Sequence, residues 1–235
     1  VSPINSIDDN SGESGSGEDS FLPLLIALSV TLVLVPLGEA LPILFSALAS
    51  LILVAGMLAV RRDRTFRVAV GIALLIGLSL RWAAEFRGSQ HLILILLSHT
   101  SVAAYFVFLE VIVFRRVITQ KQVTSQTVIG AICGYLLIGY VFTFGYLVLV
   151  FFDPAAIAHG GQPLSGEQVT NIGTHVAELS YFSFISLTTA GYGDIVPVSP
   201  IARTMAVFEI LAGQLYLVAF VARLVGAMSG PEDRK

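Results

Sequence analysis

The chain has 235 residues, of which 55% are apolar and only 12% charged; a soluble domain carries about a quarter charged residues. Long apolar runs with so few charges exclude a globular enzyme built on one large core and describe a membrane protein. The net charge of −3 comes largely from the N-terminus, and Cys133, the only cysteine, cannot form a disulfide within the chain.

In chain order, residues 1–20 (VSPINSIDDNSGESGSGEDS) come first, acidic and rich in serine and glycine. Without an apolar face they read as a disordered tail. A signal peptide needs a basic stretch before its apolar segment. This one is acidic, so Phe21 onward is expected to be a retained membrane helix. A helix needs about 20 apolar residues to cross the hydrocarbon. Such runs cover Phe21–Leu37, Leu41–Val60, Phe66–Ala84, His91–Phe114, Val128–Phe152 and Pro200–Val225. The expected fold is therefore an all-α membrane protein with six transmembrane helices. The first four form one unit over 21–114, and 128–225 form a second.

Between these units, residues 115–127 are polar and basic, as suits a linker lying along the membrane surface. Asp153–Thr174 is rich in Gly, Pro and Asn and reads as an exposed loop. Val176–Thr188 is apolar and aromatic but too short to span, so it is expected to re-enter. Thr174 is its expected N-cap, with Glu178 in the first turn at the positive end of the helix dipole. Residues 226–235 form a short tail, so gating by an attached cytoplasmic domain is not expected.

With the N-terminus inside, ten of the 13 basic residues fall on the inner side, against Arg81, Arg87 and Arg203 outside. That bias places both termini in the cytoplasm of a cell-membrane protein. The fourth span has no Arg or Lys before Arg115. It carries instead a polar patch, Ser98, His99, Thr100 and Ser101, and Glu110, a candidate partner for the basic Arg61–Arg67 loop. Gly130 and Gly134 form a GxxxG step suited to close helix packing.

Enzyme chemistry has no foothold. There is no HExxH pair, no GxSxG elbow and no P-loop. Both lysines lie outside the spans, which excludes a retinal pump. No organic cofactor and no nucleic-acid partner is expected. What stands out is Thr188-Thr189-Ala190-Gly191-Tyr192-Gly193-Asp194, directly after the short helix. Extended backbone at membrane depth must be buried in protein or line a water-filled cavity. Gly191 and Gly193 allow the backbone angles that let successive carbonyls point one way.

Tyr181–Gly193 (YFSFISLTTAGYG) resembles the pore helix and selectivity filter of the potassium-channel superfamily, and the resemblance covers roughly Val128–Val225. In that family four TVGYG loops ring the axis, and their carbonyls replace the ion's hydration shell. The resemblance implies a tetramer of this chain with three further copies of itself in the lipid bilayer. K+ ions would sit at Thr189, Ala190, Gly191, Tyr192 and Gly193. Thr188 would end the pore helix, Asp194 would bond to Tyr181, and Phe182 would support the filter. Tyr192 would brace it against the surrounding helices. Gly213 matches the hinge glycine, with close helix packing as the alternative. Gln214 would face the cavity, and Leu217, Val221 and Val225 would form an apolar constriction unless they pack on the fifth helix.

Ala190 departs from the usual valine, and losing two methyls loosens packing by about 1–2 kcal/mol. It is expected to leave the filter selective but more prone to a non-conducting or less selective state. Glu209, the one acid in the last span, is expected to bond behind the pore helix rather than line the pore. The leading expectation is passive K+ conduction with little voltage dependence. A less selective cation channel and a regulatory subunit of another pore are the alternatives.

Overall fold

A computed structural model describes residues 21–39, 42–59, 71–72, 75–80, 82–83, 92–120, 122–164 and 172–228. Helix α1 (Leu22–Leu34) opens on Pro23, where a missing amide costs nothing, and passes into a 3-10 turn over Val35–Glu39. It is followed by α2 (Pro42–Ala59), α3 (Leu92–Thr119), α4 (Ser125–Phe152), α5 (Ile172–Leu187) and α6 (Pro200–Met228). Residues 71–72, 75–80 and 82–83, in the third expected span, are also helical; the rest of that span and the 61–67 loop lie outside the described residues. Among the described residues three helices, in α3, α4 and α6, are long and apolar enough to cross a membrane.

Two boundaries differ from expectation. Helix α3 runs on through Arg115 and Arg116 to Thr119, and α4 already begins at Ser125. Thr124 sets that start: its hydroxyl accepts the Thr127 amide at 3.4 Å while the Thr127 hydroxyl accepts the Thr124 amide at 3.1 Å. This reciprocal cap satisfies orphan amides that a surface-lying linker would have left to water.

The stretch after α4 is not wholly an exposed loop, and the fold is not purely helical. Ile157–His159 (β1), Gln162–Pro163 (β2) and Ile195–Pro197 (β3) make an antiparallel sheet in the order β2-β1-β3. Gly160 and Gly161, at φ 57° and 83°, form the two-residue turn between β1 and β2. Positive φ at both central positions is what a type I′ hairpin requires. Ala156 and Ile157 are fully buried, so the hairpin is seated on the helices beneath it.

In lipid, helices associate through close packing and hydrogen bonds rather than through hydrophobic drive. One core joins α1, α2, α3 and α4 around Leu24, Leu28, Phe106, Leu109 and Tyr140. Its tyrosines bury their rings and donate to helix carbonyls, Tyr105 to Leu53 at 2.7 Å and Tyr140 to Leu28 at 2.9 Å. A second core joins α4, α5, α6 and the hairpin around Tyr146, Ile157, Leu179, Phe182 and Ile195. The GxxxG step serves two neighbours. Gly130 lies under Phe21 and Val117, and Gly134 under the Tyr216 hydroxyl.

One turn further on, a Cβ at Gly139 would come within 2.7 Å of the Phe184 ring of α5. Gly139→Ala is therefore expected to destabilise the protein by about 1–3 kcal/mol through overpacking. Gly226→Ala, with nothing within 4 Å of the new methyl, is expected to be neutral or to stabilise by up to about 1 kcal/mol. Thermal unfolding in detergent compares the two.

Candidate functional site

The site is built where α5 stops. Thr189, at φ 60°, takes the left-handed conformation just past the helix end. Its amide bonds the Ser186 carbonyl at 2.9 Å, and the Ala190 amide bonds the Ile185 carbonyl at 2.8 Å. These two bonds are a Schellman cap, a role usually given to glycine. A β-branched residue in this region costs about 1–3 kcal/mol and persists only where its surroundings over-determine it. Here Gly191 adds a second amide to Ile185 at 3.2 Å, and the Thr188 hydroxyl donates back to Phe184 at 2.7 Å.

Beyond the cap, φ is positive at Thr189, Gly191 and Gly193, at 60°, 51° and 79°, but not at Ala190 or Tyr192. A strand with φ of one sign points its carbonyls alternately to opposite faces. Alternating the sign turns every second peptide back, a pattern that can bring successive carbonyls to a shared face. No atom lies within 4 Å of a Cβ built at Gly191 or Gly193. Glycine is needed there for its backbone angle, not for space. The whole stretch from Thr188 to Asp194 is exposed on the single chain.

The aromatic residues divide. Phe182 is buried and packs edge-on against Tyr146, with centroids 5.0 Å apart. Tyr192 is 74% exposed, and the described contact of its ring is with Tyr181, centroids 6.5 Å apart at 23°. Within one chain it is not braced against the surrounding helices. Tyr181 also hydrogen-bonds the Asp194 carboxyl. Desolvation pushes that carboxyl up, but the Tyr181 hydroxyl and the backbone amides of Ile195 and Asp194 outweigh it and hold it below its usual range.

Glu209 lies fully buried on the far side of α5. One carboxylate oxygen accepts the Tyr146 hydroxyl of α4 at 2.8 Å, and the other accepts the Ser183 hydroxyl of α5. Ser183 also bonds the Gly139 carbonyl at 2.7 Å, so one carboxylate joins three helices. Nearby, the Tyr135 hydroxyl donates to the Leu187 carbonyl at 3.1 Å. A Cβ at Gly213 would meet that same carbonyl oxygen at 2.9 Å, so the glycine here permits a close approach of α6 to the end of α5. Tyr135, Tyr146 and Ser183 were not singled out from the sequence. The available signal was that buried hydroxyls need partners in a membrane.

Thr174 is not the cap of α5, because the helix already begins at Ile172; Glu178 consequently falls beyond the first turn. It pairs instead with His159. Along α6, Gln214, Leu217, Val221 and Val225 are exposed and do not bury themselves against α4. Near its C-terminal end Arg223 donates to the Gln120 backbone carbonyl, and the Gln120 side chain accepts the Thr127 hydroxyl, tying the α3–α4 turn to α6. His99 and Ser98 are buried, with His99 beside the Phe144 ring at 6.2 Å. The basic loop expected to meet Glu110 lies outside the described residues.

Membrane-length helices, a short helix wedged between two of them and a following loop of alternating φ are the setting in which the comparison with known families falls. Residues 136–229 match the family model described as an ion channel. That match spans α6, α5, the 188–194 segment and α4 from Leu136 onward, and it identifies this part of the chain as an ion-channel domain, of a family of channels and not of enzymes. No curated protein and no solved structure matches the chain.

Glu209→Ala would leave the Tyr146 and Ser183 hydroxyls without their shared acceptor, at about 1–3 kcal/mol for each buried group. Glu209→Gln keeps an acceptor oxygen and is expected to lose less than half as much. Thermal unfolding of the two variants in detergent checks the order.

Proposed function

We propose that the protein is a potassium-selective channel, in which four copies of the chain surround one conduction path in the cell membrane. The observation that carries this reading is the alternation of φ through Thr189, Gly191 and Gly193. In this reading the carbonyls of Thr189, Ala190, Gly191, Tyr192 and Gly193 face the ion path. Rings of such carbonyls substitute for the water around a dehydrated K+ ion. Each chain has a single segment of this kind, so a closed ring needs several copies. Two further features support that requirement. The carbonyl segment is exposed on the single chain, and so is a broad strip of α6 through Val207, Phe208, Leu211, Leu215 and Val218. In the assembly the strip would meet lipid, neighbouring copies and the cavity, with Gln214, Leu217, Val221 and Val225 toward the inner mouth. Conduction is passive, along the ion gradient, and both termini lie in the cytoplasm.

In this reading the supporting residues have distinct roles. Glu209, Ser183 and Tyr146 hold α5 at its depth, Phe182 fills the space behind it, and Tyr181 with Asp194 fixes the outer end of the filter. Gly213 lets α6 pass close behind the filter's inner end.

Purified protein in liposomes is expected to pass K+ at least tenfold faster than Na+ and to be blocked by Ba2+. Equal permeability to the two ions would overturn the selective reading in favour of a general cation channel. No flux from the chain alone would favour a subunit that depends on another pore.

Voltage should matter little. A charge crossing the whole field contributes only about 2.3 kcal/mol per 100 mV, so steep gating needs several charges in a moving helix. Before Arg115, helix α3 carries no Arg or Lys, and Glu110 is its one charged residue. Open probability in planar bilayers is expected to change less than about threefold per 100 mV, the change that well under one gating charge produces. A far steeper dependence would contradict this.

A further inference from the structure

His159 closes strand β1, and its imidazole lies against the side of α5 with Nδ1 3.1 Å from Oε1 of Glu178. The ring is 52% exposed and open to solvent protons, while the Glu178 side chain is 25% exposed. The other oxygen of the same carboxylate faces His175, whose Nδ1 is 4.0 Å away and whose side chain is only 13% exposed. The hairpin that carries His159 also grips the end of the candidate filter. The Gly160 amide donates to the Asp194 carbonyl at 3.1 Å, and His159 pairs in register with Ile195.

The described charged groups around this hairpin are few. Helix α5 presents Glu178 and His175, the segment after the filter presents Asp194, and the hairpin's own approach carries Asp153. Arg203 of α6 points its Nε at the Pro197 carbonyl, 3.3 Å away. Of these, Glu178 touches His159, and Asp194 feels its charge through space.

We propose that His159 is a proton-binding site at the outer mouth, and that its protonation reduces cation entry into the filter. The inference rests on the potassium-channel reading above. Histidine is the side chain whose ordinary titration falls between pH 5 and 8. When neutral, it donates Nδ1–H to Glu178 and leaves the carboxylates of Glu178 and Asp194 to attract cations to the entrance. When protonated, it keeps that hydrogen bond and adds a full positive charge beside both carboxylates. In a fourfold assembly the change is four charges around one axis. Charges lining a mouth set the local ion concentration there, and salt weakens the effect over a Debye length of about 8 Å at 0.15 M.

The test is single-channel recording in planar bilayers, acidifying one chamber at a time from pH 8 to pH 5.5. At low salt, acid on the filter-mouth side is expected to lower unitary K+ current entering from that side by about twofold, and the loss should shrink at 1 M KCl. His159→Gln should remove the pH response while keeping the current seen at pH 8, and His175→Gln should retain the response. Three outcomes would each overturn the proposal: a wild-type current unchanged by acid, a response that survives in His159→Gln, or a response only from the opposite chamber. Wild-type protein that carries no K+ current at pH 8 would overturn the conduction reading itself, and this proposal with it.

Discussion

The structure turns on how the end of α5 is finished. A helix leaves its last carbonyls without partners, and lipid offers none. Here the chain that leaves the helix supplies them. The amides of Thr189, Ala190 and Gly191 fold back onto Ser186 and Ile185. With these amides committed to the cap, the following carbonyls are free to face outward. The cap and the carbonyl row are therefore one feature, and the left-handed turn at Thr189 begins both.

Such a cap is useful only if α5 itself is held. Its length is too short to span, so it must be gripped by its neighbours. Glu209 does this by accepting hydroxyls from α4 and α5 at once, while Tyr135 and Gly213 meet at the Leu187 carbonyl. Burying a carboxylate is costly unless its hydrogen bonds are met. A network of this kind penalises any shift of one helix against the others, because each displacement strands a polar group. Beyond the glycines there is a second hold, through the β1–β2 hairpin's bond to the Asp194 carbonyl and through the Tyr181–Asp194 pair. The segment is thus fixed at both ends while its middle stays open on the single chain.

Helix α6 also meets α4 and the turn before it through specific contacts. Tyr216 of α6 donates to the Ala131 carbonyl of α4 at 2.9 Å, above a glycine that leaves room for its ring. Arg223 reaches the Gln120 carbonyl in the turn between α3 and α4. The α3–α4 turn is thus tied to the C-terminal end of α6 by a polar contact.

The apolar runs, the break after Phe152 and the paired glycines of the TTAGYGD segment could all be read in advance. Each depends on composition or on a backbone property local to a few residues. Glu209 announced itself for the same reason, as a carboxylate in an apolar helix. Its partners did not. Tyr146 and Ser183 are separated from it by 63 and 26 residues, and Tyr135 lies 52 residues from Leu187. Nothing local distinguishes them from other hydroxyls in apolar helices. The hairpin was overlooked although Gly160-Gly161 carries a turn signal, because its strands are too short to show alternation and one partner, β3, lies beyond α5. By itself, then, the sequence determined the apolar helices of a membrane protein and the place of the glycine-bearing segment after α5, since hydropathy and glycine act locally. Only the tertiary structure decided what holds that segment in place, since hydrogen-bond partners far apart in the chain are chosen by packing.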